Sequence, residues 1–327
     1  MSISSFRGLA ISGGGVAEVA CVGSLRTWVK SGGVLNDYTH FSGTSAGAIT
    51  ATMLSLRAPI EFIESKLSTA DFASFTDTTL YSKIEDIYGL WANYGWNSGS
   101  GLEKWIGDLI EELTGNRNIT FKEAYDRFNK HLIVVKTDML YPECQTVNMD
   151  YLSHPNYNLC LAVTTSCRIP LFYQSLHGMG PEEGHVFVDG GVLYNYPLHA
   201  LYKYLPHDQC MGIVLRSDPE NLILRPVRSF QDFITSMVNA WLRASTERHI
   251  HADDWKRTCS VSVTLSAIDF HADKTKIKEA IDQGGDAMVK FIESLKHPSL
   301  EDLIKEKDKI IAHLEELVGE FKRKSDK

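Results

Sequence analysis

The stretch FSGTSAGAIT (residues 41–50) places Ser45 between two glycines, with apolar residues beyond them on both sides. Residues 38–42 are predicted to form a strand, and residues 46–56 a helix that stops near Pro59. A serine at such a turn has two interpretations, since it can cap the helix or act as a nucleophile at the tip of a sharp turn. The stretch therefore predicts a strand, a tight turn and a helix, and leaves the purpose of the serine open.

The same design occurs once before, near the N-terminus. The apolar run GLAIS (residues 8–12) is followed directly by GGG, and residues 16–31 carry apolar side chains at helical spacing. Strands that alternate with helices pair in parallel and are covered on both faces. We therefore predict a three-layer α/β/α fold with a mainly parallel central sheet. Further strands are predicted at residues 131–140, 185–191, 211–217 and 260–266, and further helices at residues 101–113, 120–128, 229–256, 275–295 and 300–324.

The chain is expected to form a catalytic domain over residues 1–272, followed by C-terminal helices over residues 273–327 that pack on the same domain. Residues 58–101 are mixed and aromatic, and connections of this length in compact domains are often lids or binding loops. This region is therefore a candidate lid over a site, although an ordinary helical insertion on the sheet explains it equally well. The apolar stripe of residues 300–324 favours docking on the same domain over dimerisation or membrane contact.

The composition argues against several classes of protein. The chain has 327 residues, with 33 basic and 41 acidic side chains and a net charge of −8, so no basic field favours nucleic acid. No apolar segment reaches the roughly 18 to 20 residues that a membrane-spanning helix needs, and the N-terminal apolar run is too short for a signal peptide. The six cysteines are scattered and form no CxxC pair. We therefore expect a cytoplasmic or other intracellular protein that can act peripherally on membranes.

The glycine run at residues 13–15 offers backbone N–H groups at a helix start, where anions bind. A phosphate loop would end in Gly-Lys-Ser/Thr, which is absent. A dinucleotide loop would place its last glycine at position 18, where this chain has Glu18, whose carboxylate would repel a phosphate. Both nucleotide interpretations are therefore disfavoured. What remains is a set of N–H donors able to hold a transient oxyanion.

A serine nucleophile needs a base, which is most often a histidine. The histidines considered for this purpose border strands or lie in predicted helices, and none follows a catalytic pattern: His40, His131, His199, His249 and His251. His249, His251, Asp253 and Asp254 could suggest a metal cluster. Since residues i and i+2 of a helix point apart, a solvated helix face is the better interpretation, and we expect no metal site.

Asp189 is placed differently from the histidines. It ends the apolar run HVFV and is followed by two glycines. This position predicts a carboxylate at the C-terminal edge of the sheet, where open α/β folds build their sites. An ordinary turn aspartate is the alternative at this point.

Taken in order, these motifs resemble the patatin-like phospholipase family, lipid acyl hydrolases that use a Ser-Asp dyad. The resemblance covers roughly residues 6–205, and several ordered motifs are more specific than one. The matching segments are LAISGGGVAEVACVGSL (residues 9–25), GTSAG (43–47), VVKTDM (134–139), TTSCRIPLFYQ (164–174) and the DGG of FVDGGVLYNYPLHAL (187–201).

The resemblance implies a role for each matching position. Ser45 would be the nucleophile and Asp189 the base, with no metal or organic cofactor. The backbone N–H groups of Gly13, Gly14, Gly15 and Val16 would form the oxyanion hole. The motif-supporting glycines would be Gly43, Gly47, Gly190 and Gly191.

One departure concerns the glycine loop, which in the family usually runs G-G-G-x-Arg/Lys-Gly. Here the last two positions are Ala17 and Glu18. Glu18 adds a negative charge if it faces the site, whereas a side chain turned outward would favourably meet the helix dipole. The missing cation weakens any expectation of a preference for anionic head groups.

The function implied is hydrolysis of acyl esters of phospholipids or related glycerolipids at a membrane surface. Apolar side chains of residues 58–101, with Leu171, Phe172 and Tyr173, are the expected acyl-chain wall. Transfer of the acyl group to an alcohol or lysolipid is one alternative. A catalytically weak, lipid-binding regulatory protein is another, although Ser45 and Asp189 are both retained.

Overall fold

The structure is a computed structural model that describes residues 3–76, 94–178, 182–217 and 226–296. Its strands are β1 (Gly8–Ile11), β2 (His40–Thr44), β3 (Gly95–Asn97), β4 (His131–Asp138), β5 (Gln145–Met149), β6 (Leu171–Tyr173), β7 (Leu176–His177), β8 (Val186–Asp189), β9 (Cys210–Ser217) and β10 (Thr258–Val263). Its α-helices are α1 (Ala20–Lys30), α2 (Ala46–Ser55), α3 (Ile60–Ser68), α4 (Ser100–Thr114), α5 (Phe121–Phe128), α6 (Leu159–Ser166), α7 (Leu198–Leu201), α8 (Phe230–Arg248) and α9 (Lys274–Lys296).

The main sheet has the order β10-β9-β1-β2-β4-β8-β7, with β5 also paired to β4. Neighbouring strands from β10 to β4 run parallel, and β5, β7 and β8 add antiparallel pairs at one side. Strands β3 and β6 form a separate parallel pair. The prediction of a mainly parallel sheet is therefore confirmed.

Alternate residues of the central strands enter two different cores. Leu9 and Ile11 of β1 pack with α1, α2 and α9 on one face, whereas Ala10 packs with α7 on the other. Because both faces of these strands are buried, their sequences are continuous apolar runs. The three-layer prediction is confirmed, with the layer on the α7 side the thinner one.

Some predicted helices differ from those observed. The segment after the glycine run first forms a 3₁₀ helix, Gly15–Val19, and only then α1. The predicted helix over residues 229–256 ends at Arg248, and a separate 3₁₀ helix, Ala252–Arg257, follows. Asp254 explains this break, because its carboxylate accepts the His251 N–H at 2.9 Å and closes a new helix start.

The candidate lid falls partly within the described residues. It contains α3, the 3₁₀ helix Phe72–Phe75 and β3, while residues 77–93 lie outside them. The predicted helix 300–324 also lies outside the described residues. Among the residues described, no helix combines the length and the apolar character needed to cross a membrane.

Helix α9 lies directly against α1. Ser24 Oγ donates to the Gly284 carbonyl at 2.9 Å. A Cβ on Gly284 would lie 1.8 Å from the Ala20 carbonyl oxygen, and one on Gly23 would lie 1.8 Å from the Ile281 carbonyl oxygen. The two helices therefore pack backbone to backbone, at positions that only glycine can fill.

The contact predicts a difference between two adjacent glycines. Gly284→Ala should destabilise the protein by about 1–3 kcal/mol, because its methyl group meets backbone. The matched control is Gly285→Ala, whose Cβ would lie 3.3 Å from Thr27 Oγ1, a side-chain atom, and 3.8 Å from the Gly23 carbonyl oxygen. That variant should be neutral or stabilised, since alanine favours helix over glycine by about 1 kcal/mol. Urea unfolding of both variants measures the effects, and equal midpoints would contradict this packing.

Candidate active site

Strand β4 brings the two predicted catalytic side chains together. One of its edges pairs with β5, so β2 and β8 share the other: β2 ends with Thr44 opposite Val135, and β8 ends with Asp189 opposite Lys136. Because β8 runs antiparallel to β4, its last residue arrives where β2 leaves the sheet. Ser45 and Asp189 thus meet although 144 residues separate them in sequence.

Ser45 lies on a strained turn, with φ 54° and ψ −132°. Such conformations cost about 1–3 kcal/mol for a residue with a side chain. The Ser45 N–H donates to Ser166 Oγ at 2.8 Å, and Ser166 Oγ donates to the Val135 carbonyl at 2.5 Å. The Ser45 hydroxyl makes no capping bond to α2 and donates instead to Asp189 Oδ2 at 2.6 Å. The helix-cap interpretation is therefore wrong.

The two glycines around Ser45 allow α2 to begin against the end of β1. A Cβ on Gly47 would lie 2.3 Å from the Ser12 carbonyl oxygen, and one on Gly43 would lie 2.5 Å from the Gly47 carbonyl oxygen. Only glycine fits such approaches. The positive end of the α2 dipole is consequently placed at Ser45.

Asp189 is buried, with 2% of its surface exposed. Its Oδ1 accepts the Gly191 N–H at 2.6 Å, and its own N–H donates to the Arg168 carbonyl at 2.8 Å. Gly190 is needed beside it, since a Cβ there would lie 2.4 Å from the Val135 carbonyl oxygen. Burial raises the pKa of Asp189 to about 7, against the opposing hydrogen bonds from Ser45 and Gly191. Near neutral pH this carboxyl can therefore both accept and release a proton.

The N–H groups of the glycine loop divide into two kinds. Gly13 donates to the Asn195 carbonyl at 3.0 Å, and Val16 donates to the Ala267 carbonyl at 2.9 Å. Among the described residues, none accepts a hydrogen bond from the N–H of Gly14 or Gly15. Of the four positions expected in the oxyanion hole, Gly13 and Val16 are thus already bonded within the fold, which leaves Gly14 and Gly15 as the available donors.

The loop conformation itself depends on Gly15. Its φ is +54°, and a Cβ there would lie 2.0 Å from the Ala267 carbonyl oxygen. Both the left-handed backbone and the close approach exclude a side chain. The segment around Ala267 therefore holds the loop at Gly15 and Val16, whereas Asn195 holds it at Gly13.

Asn195 holds the loop in place and was not singled out from the sequence. Its Nδ2 donates to the Gly13 carbonyl at 3.2 Å and to Thr246 Oγ1 at 2.9 Å, and its N–H donates to Ser245 Oγ at 2.9 Å. It thereby ties the glycine loop to helix α8. The only sequence signal was its place a few residues after the DGG motif, because its partners lie far away along the chain.

Ser45 opens into a narrow apolar pocket. The lining residues are Gly15, Val16, Glu18, Val19, Ser45, Ala46, Ile49, Leu67, Phe72, Phe75, Leu102, Trp105, Cys167, Ile169, Tyr173 and Phe270. Of the expected wall residues 171–173, Tyr173 lines this pocket. Phe172 lies behind it and stacks on Phe270 with ring centroids 4.8 Å apart. Leu67, Phe72 and Phe75 come from the candidate lid region.

Cys167 lies beside Ser45 in the same pocket and is a possible competing nucleophile by residue type. Burial raises the pKa of its thiol well above the usual range, and the nearby carboxylate of Asp189 acts in the same direction. A protonated thiol is a poor nucleophile. The arrangement therefore favours Ser45 as the reacting group.

Glu18 points inward rather than toward solvent. It is 3% exposed and lines the pocket. Of the two orientations considered from the sequence, the outward one is wrong. Burial raises the pKa of its carboxyl to about 8, while contacts with Cys21 and Thr50 lower it. Near neutral pH the side chain is therefore mostly uncharged, so it does not bring a full negative charge to the site.

The histidines are engaged elsewhere in the described part of the chain. His131 Nε2 lies 3.0 Å from Asp150 Oδ2, and His199 Nε2 lies 2.6 Å from Asp254 Oδ2. None of the histidines described is hydrogen-bonded to the Ser45 or Asp189 side chain.

His251 and Asp254 come together with His199, with their ligand atoms within 4.8 Å of one another. The expected helix, in which His251 would point away from its neighbours, is interrupted here. Asp254 already accepts hydrogen bonds from the Tyr202 hydroxyl at 2.6 Å and from Arg257 at 3.0 Å. The guanidinium of Arg257 opposes a second cation at this position, and the expectation of no metal site stays a prediction.

The chain is similar to known proteins both in sequence and in fold. An uncharacterized protein of Acanthamoeba polyphaga mimivirus is 29% identical over 299 residues, covering 89% of this chain and 94% of the relative. A probable lipid hydrolase of Invertebrate iridescent virus 6 is 26% identical over 200 residues, covering 61% of this chain and 64% of the relative. VipD from Legionella pneumophila has a similar fold, with a TM-score of 0.58, 15% identity and coverage of 89% of this chain and 67% of VipD.

A family model described as patatin-like phospholipase matches residues 9–202, more than half of the chain. This match contains the glycine loop, the turn at Ser45 and the strand that ends at Asp189. In the structure the ends of β2 and β8 meet at one edge of β4, and the glycine loop follows β1, which pairs with β2. With the sequence match and the spatial arrangement in agreement, the chain belongs to the patatin-like phospholipase family.

Proposed function

We propose that this protein is a serine hydrolase that cleaves acyl esters of phospholipids or related glycerolipids through an acyl-enzyme. The observation that carries the proposal is the 2.6 Å hydrogen bond from Ser45 Oγ to Asp189 Oδ2 in the wall of an apolar pocket. The pocket suits a hydrocarbon chain, whose transfer from water is favourable. Membership of the family and the likeness to a probable lipid hydrolase support a lipid-hydrolysing enzyme.

The first half of the reaction forms the acyl-enzyme. Ser45 Oγ attacks the ester carbonyl carbon while its proton moves to Asp189 Oδ2. The carbonyl electron pair moves to the oxygen, where the N–H groups of Gly14 and Gly15 and the start of α2 stabilise the negative charge. The intermediate collapses with cleavage of the bond to the alcohol oxygen, which takes the proton from Asp189.

The second half returns the enzyme to its starting state. A water molecule gives a proton to Asp189 and attacks the acyl carbon, and collapse of this intermediate returns the proton to Ser45 Oγ and releases the fatty acid. The chemistry needs no metal or organic cofactor. It needs a base whose proton affinity lies near the working pH, which burial of Asp189 provides.

Activity is expected to depend on the ionisation of Asp189, whose pKa is raised to about 7. Only the carboxylate can accept the serine proton, so kcat/KM should fall about tenfold for each pH unit below 7 and level off above it. Initial rates with a short-chain 4-nitrophenyl ester between pH 5 and 9 measure this profile. Glu18→Gln tests whether the titrating group is Asp189 or Glu18. If it is Asp189, this variant should keep the inflection near pH 7. A wild-type profile that is flat throughout would contradict Asp189 as the base.

The function itself is tested by incubating the protein with a phospholipid and glycerolipid panel and with a fluorophosphonate probe. We expect release of fatty acid and labelling at Ser45. Adding a lysolipid or alcohol acceptor distinguishes hydrolysis from acyl transfer, because transfer yields a new ester at the expense of free fatty acid. If the wild-type protein neither labels nor turns over any lipid presentation, the hydrolase proposal fails and a lipid-binding function replaces it.

A further inference from the structure

The acyl pocket contains one acid in an otherwise apolar lining. Glu18 reaches the pocket from the 3₁₀ helix Gly15–Val19, and its neighbours along the wall include Val19, Ile49 and Leu67. Both of its carboxyl oxygens are buried, and neither has a hydrogen-bond partner among the described residues. A buried polar group without a partner is costly, so its presence in a lipid pocket requires an explanation.

A second unpaired oxygen lies next to this acid. Thr50, on the first turns of α2, is fully buried, and its Oγ1 has no partner among the described residues. The Thr50 and Cys21 side chains approach Glu18 without reaching hydrogen-bond geometry. Of these two residues Glu18 is the one that lines the pocket, so the wall carries a carboxyl group that has no hydrogen-bond partner among the described residues.

The charge state of Glu18 decides what it can bind. Burial raises its pKa to about 8, so near neutral pH the carboxyl holds its proton and offers one O–H donor and a carbonyl acceptor. A plain hydrocarbon chain would cover these atoms and leave them unpaired. A chain that carries an oxygen at the same depth would pair with them.

We propose that the acyl pocket selects chains bearing a hydroxyl, keto or epoxide oxygen, and that Glu18 is the residue that recognises this oxygen. The inference rests on the proposed hydrolase function and adds the class of acyl chain to it. Glu18 follows Gly15, a proposed oxyanion donor, on the same short 3₁₀ helix, and both residues line the pocket. The recognised oxygen is therefore placed toward the ester end of the chain.

A pocket of this kind discriminates mainly against acyl chains that lack the recognised oxygen. A site built around a hydrogen bond rejects an analogue that lacks the partner, because its own buried polar group is left unsatisfied. The discrimination expected from one such group is roughly 5- to 150-fold in kcat/KM. Replacement of Glu18 by an apolar side chain of similar size should remove the penalty on plain chains and with it the discrimination.

The test uses 4-nitrophenyl esters of hexadecanoic acid and of monohydroxy hexadecanoic acids with the hydroxyl at successive positions. For the wild type, kcat/KM should be at least about fivefold higher for one narrow range of hydroxyl positions than for the plain ester. Glu18→Met should abolish or reverse this ratio, whereas Glu18→Gln should retain most of it. Comparing ratios between variants cancels the intrinsic reactivity of each ester.

Ile49→Val is the matched control in the same pocket, since it changes volume without changing hydrogen bonding. It should alter kcat/KM for the plain ester and for the hydroxylated esters in similar proportion. Calorimetry gives a second readout that does not depend on turnover. It measures the binding of the corresponding free acids to Ser45→Ala and to Ser45→Ala/Glu18→Met.

The outcomes separate the two proposals. A wild type that labels with fluorophosphonate and hydrolyses plain and hydroxylated esters equally overturns only the inference, with a resident water then satisfying Glu18. An unchanged ratio in Glu18→Met also overturns it. Absence of both labelling and turnover in the wild type overturns the hydrolase proposal and the inference with it.

Discussion

Ser45→Ala is expected to abolish fluorophosphonate labelling and to lower ester hydrolysis about 10⁴-fold or more. The Ser45 hydroxyl is the only oxygen nucleophile that donates to Asp189 within the described part of the chain, and its strained turn presents it to the pocket. Removal of Oγ leaves no atom to carry the acyl group. Rates of fatty acid release and in-gel labelling measure the effect.

Ser55→Ala provides the matched control for this substitution. Ser55 lies at the far end of the same helix, where its Oγ donates to the Thr52 carbonyl at 2.8 Å. It should retain both labelling and hydrolysis. Hydrolysis that survives in Ser45→Ala within tenfold of the wild-type rate would show that the serine is not the nucleophile.

Asp189→Asn is expected to lower kcat/KM about 10²- to 10⁴-fold, the usual contribution of a general base. The amide matches the carboxylate in shape and can still accept the Gly191 N–H, but it cannot accept the Ser45 proton. The residual rate should no longer show the inflection near pH 7. Rates between pH 5 and 9 with a soluble ester measure both effects.

Stability provides the control for Asp189→Asn, because loss of activity must not come from unfolding. The folded-state pKa of Asp189 is raised from its ordinary value of 3.8 to about 7. Its proton therefore contributes stability that is fully present below the unfolded pKa and is lost as pH rises toward 7. Asparagine does not titrate, so the variant does not lose this contribution to its free energy of unfolding. Relative to wild type, the variant should therefore become more stable as the pH rises from 4 to 7. A variant that is inactive at pH 8 and clearly unfolded there would contradict this account of the site.

Local patterns predicted much of this arrangement. The alternation of apolar strands with helices was sufficient for the parallel sheet, and GTSAG and DGG placed Ser45 and Asp189 at strand ends on the same edge. The helix expected at residues 120–128 is also present, and Thr120 and Glu123 form a capping box at its start. In each case the information lies within a few residues of sequence and depends on backbone geometry that those residues determine.

The parts that were missed depend on contacts between distant segments. Gly13 and Val16 are bonded to carbonyls of Asn195 and Ala267, residues that the loop sequence does not specify. The break after Arg248 depends on a network centred on Asp254, and propensity alone predicted one continuous helix. Tertiary hydrogen bonds of this kind override local preference.

Glu18 was predicted in part from the local sequence and in part depends on contacts that the sequence does not reveal. Its position in the loop showed a departure from the family pattern, but only the packed structure shows that the side chain is buried and lines the pocket at Ser45. Burial then removes most of its charge near neutral pH. Under the proposed function, Glu18 is therefore part of the surface that binds the acyl chain.

The most direct test of the central claim is to trap the acyl-enzyme and locate the acyl group. The wild-type protein is mixed with a 4-nitrophenyl acyl ester, quenched in acid within one turnover, digested and analysed by mass spectrometry. We predict that the peptide containing Ser45 gains the mass of the acyl group and that the same peptide from Ser45→Ala does not. An acyl group found on Cys167 instead, or turnover without any acylated peptide, would contradict Ser45 as the nucleophile.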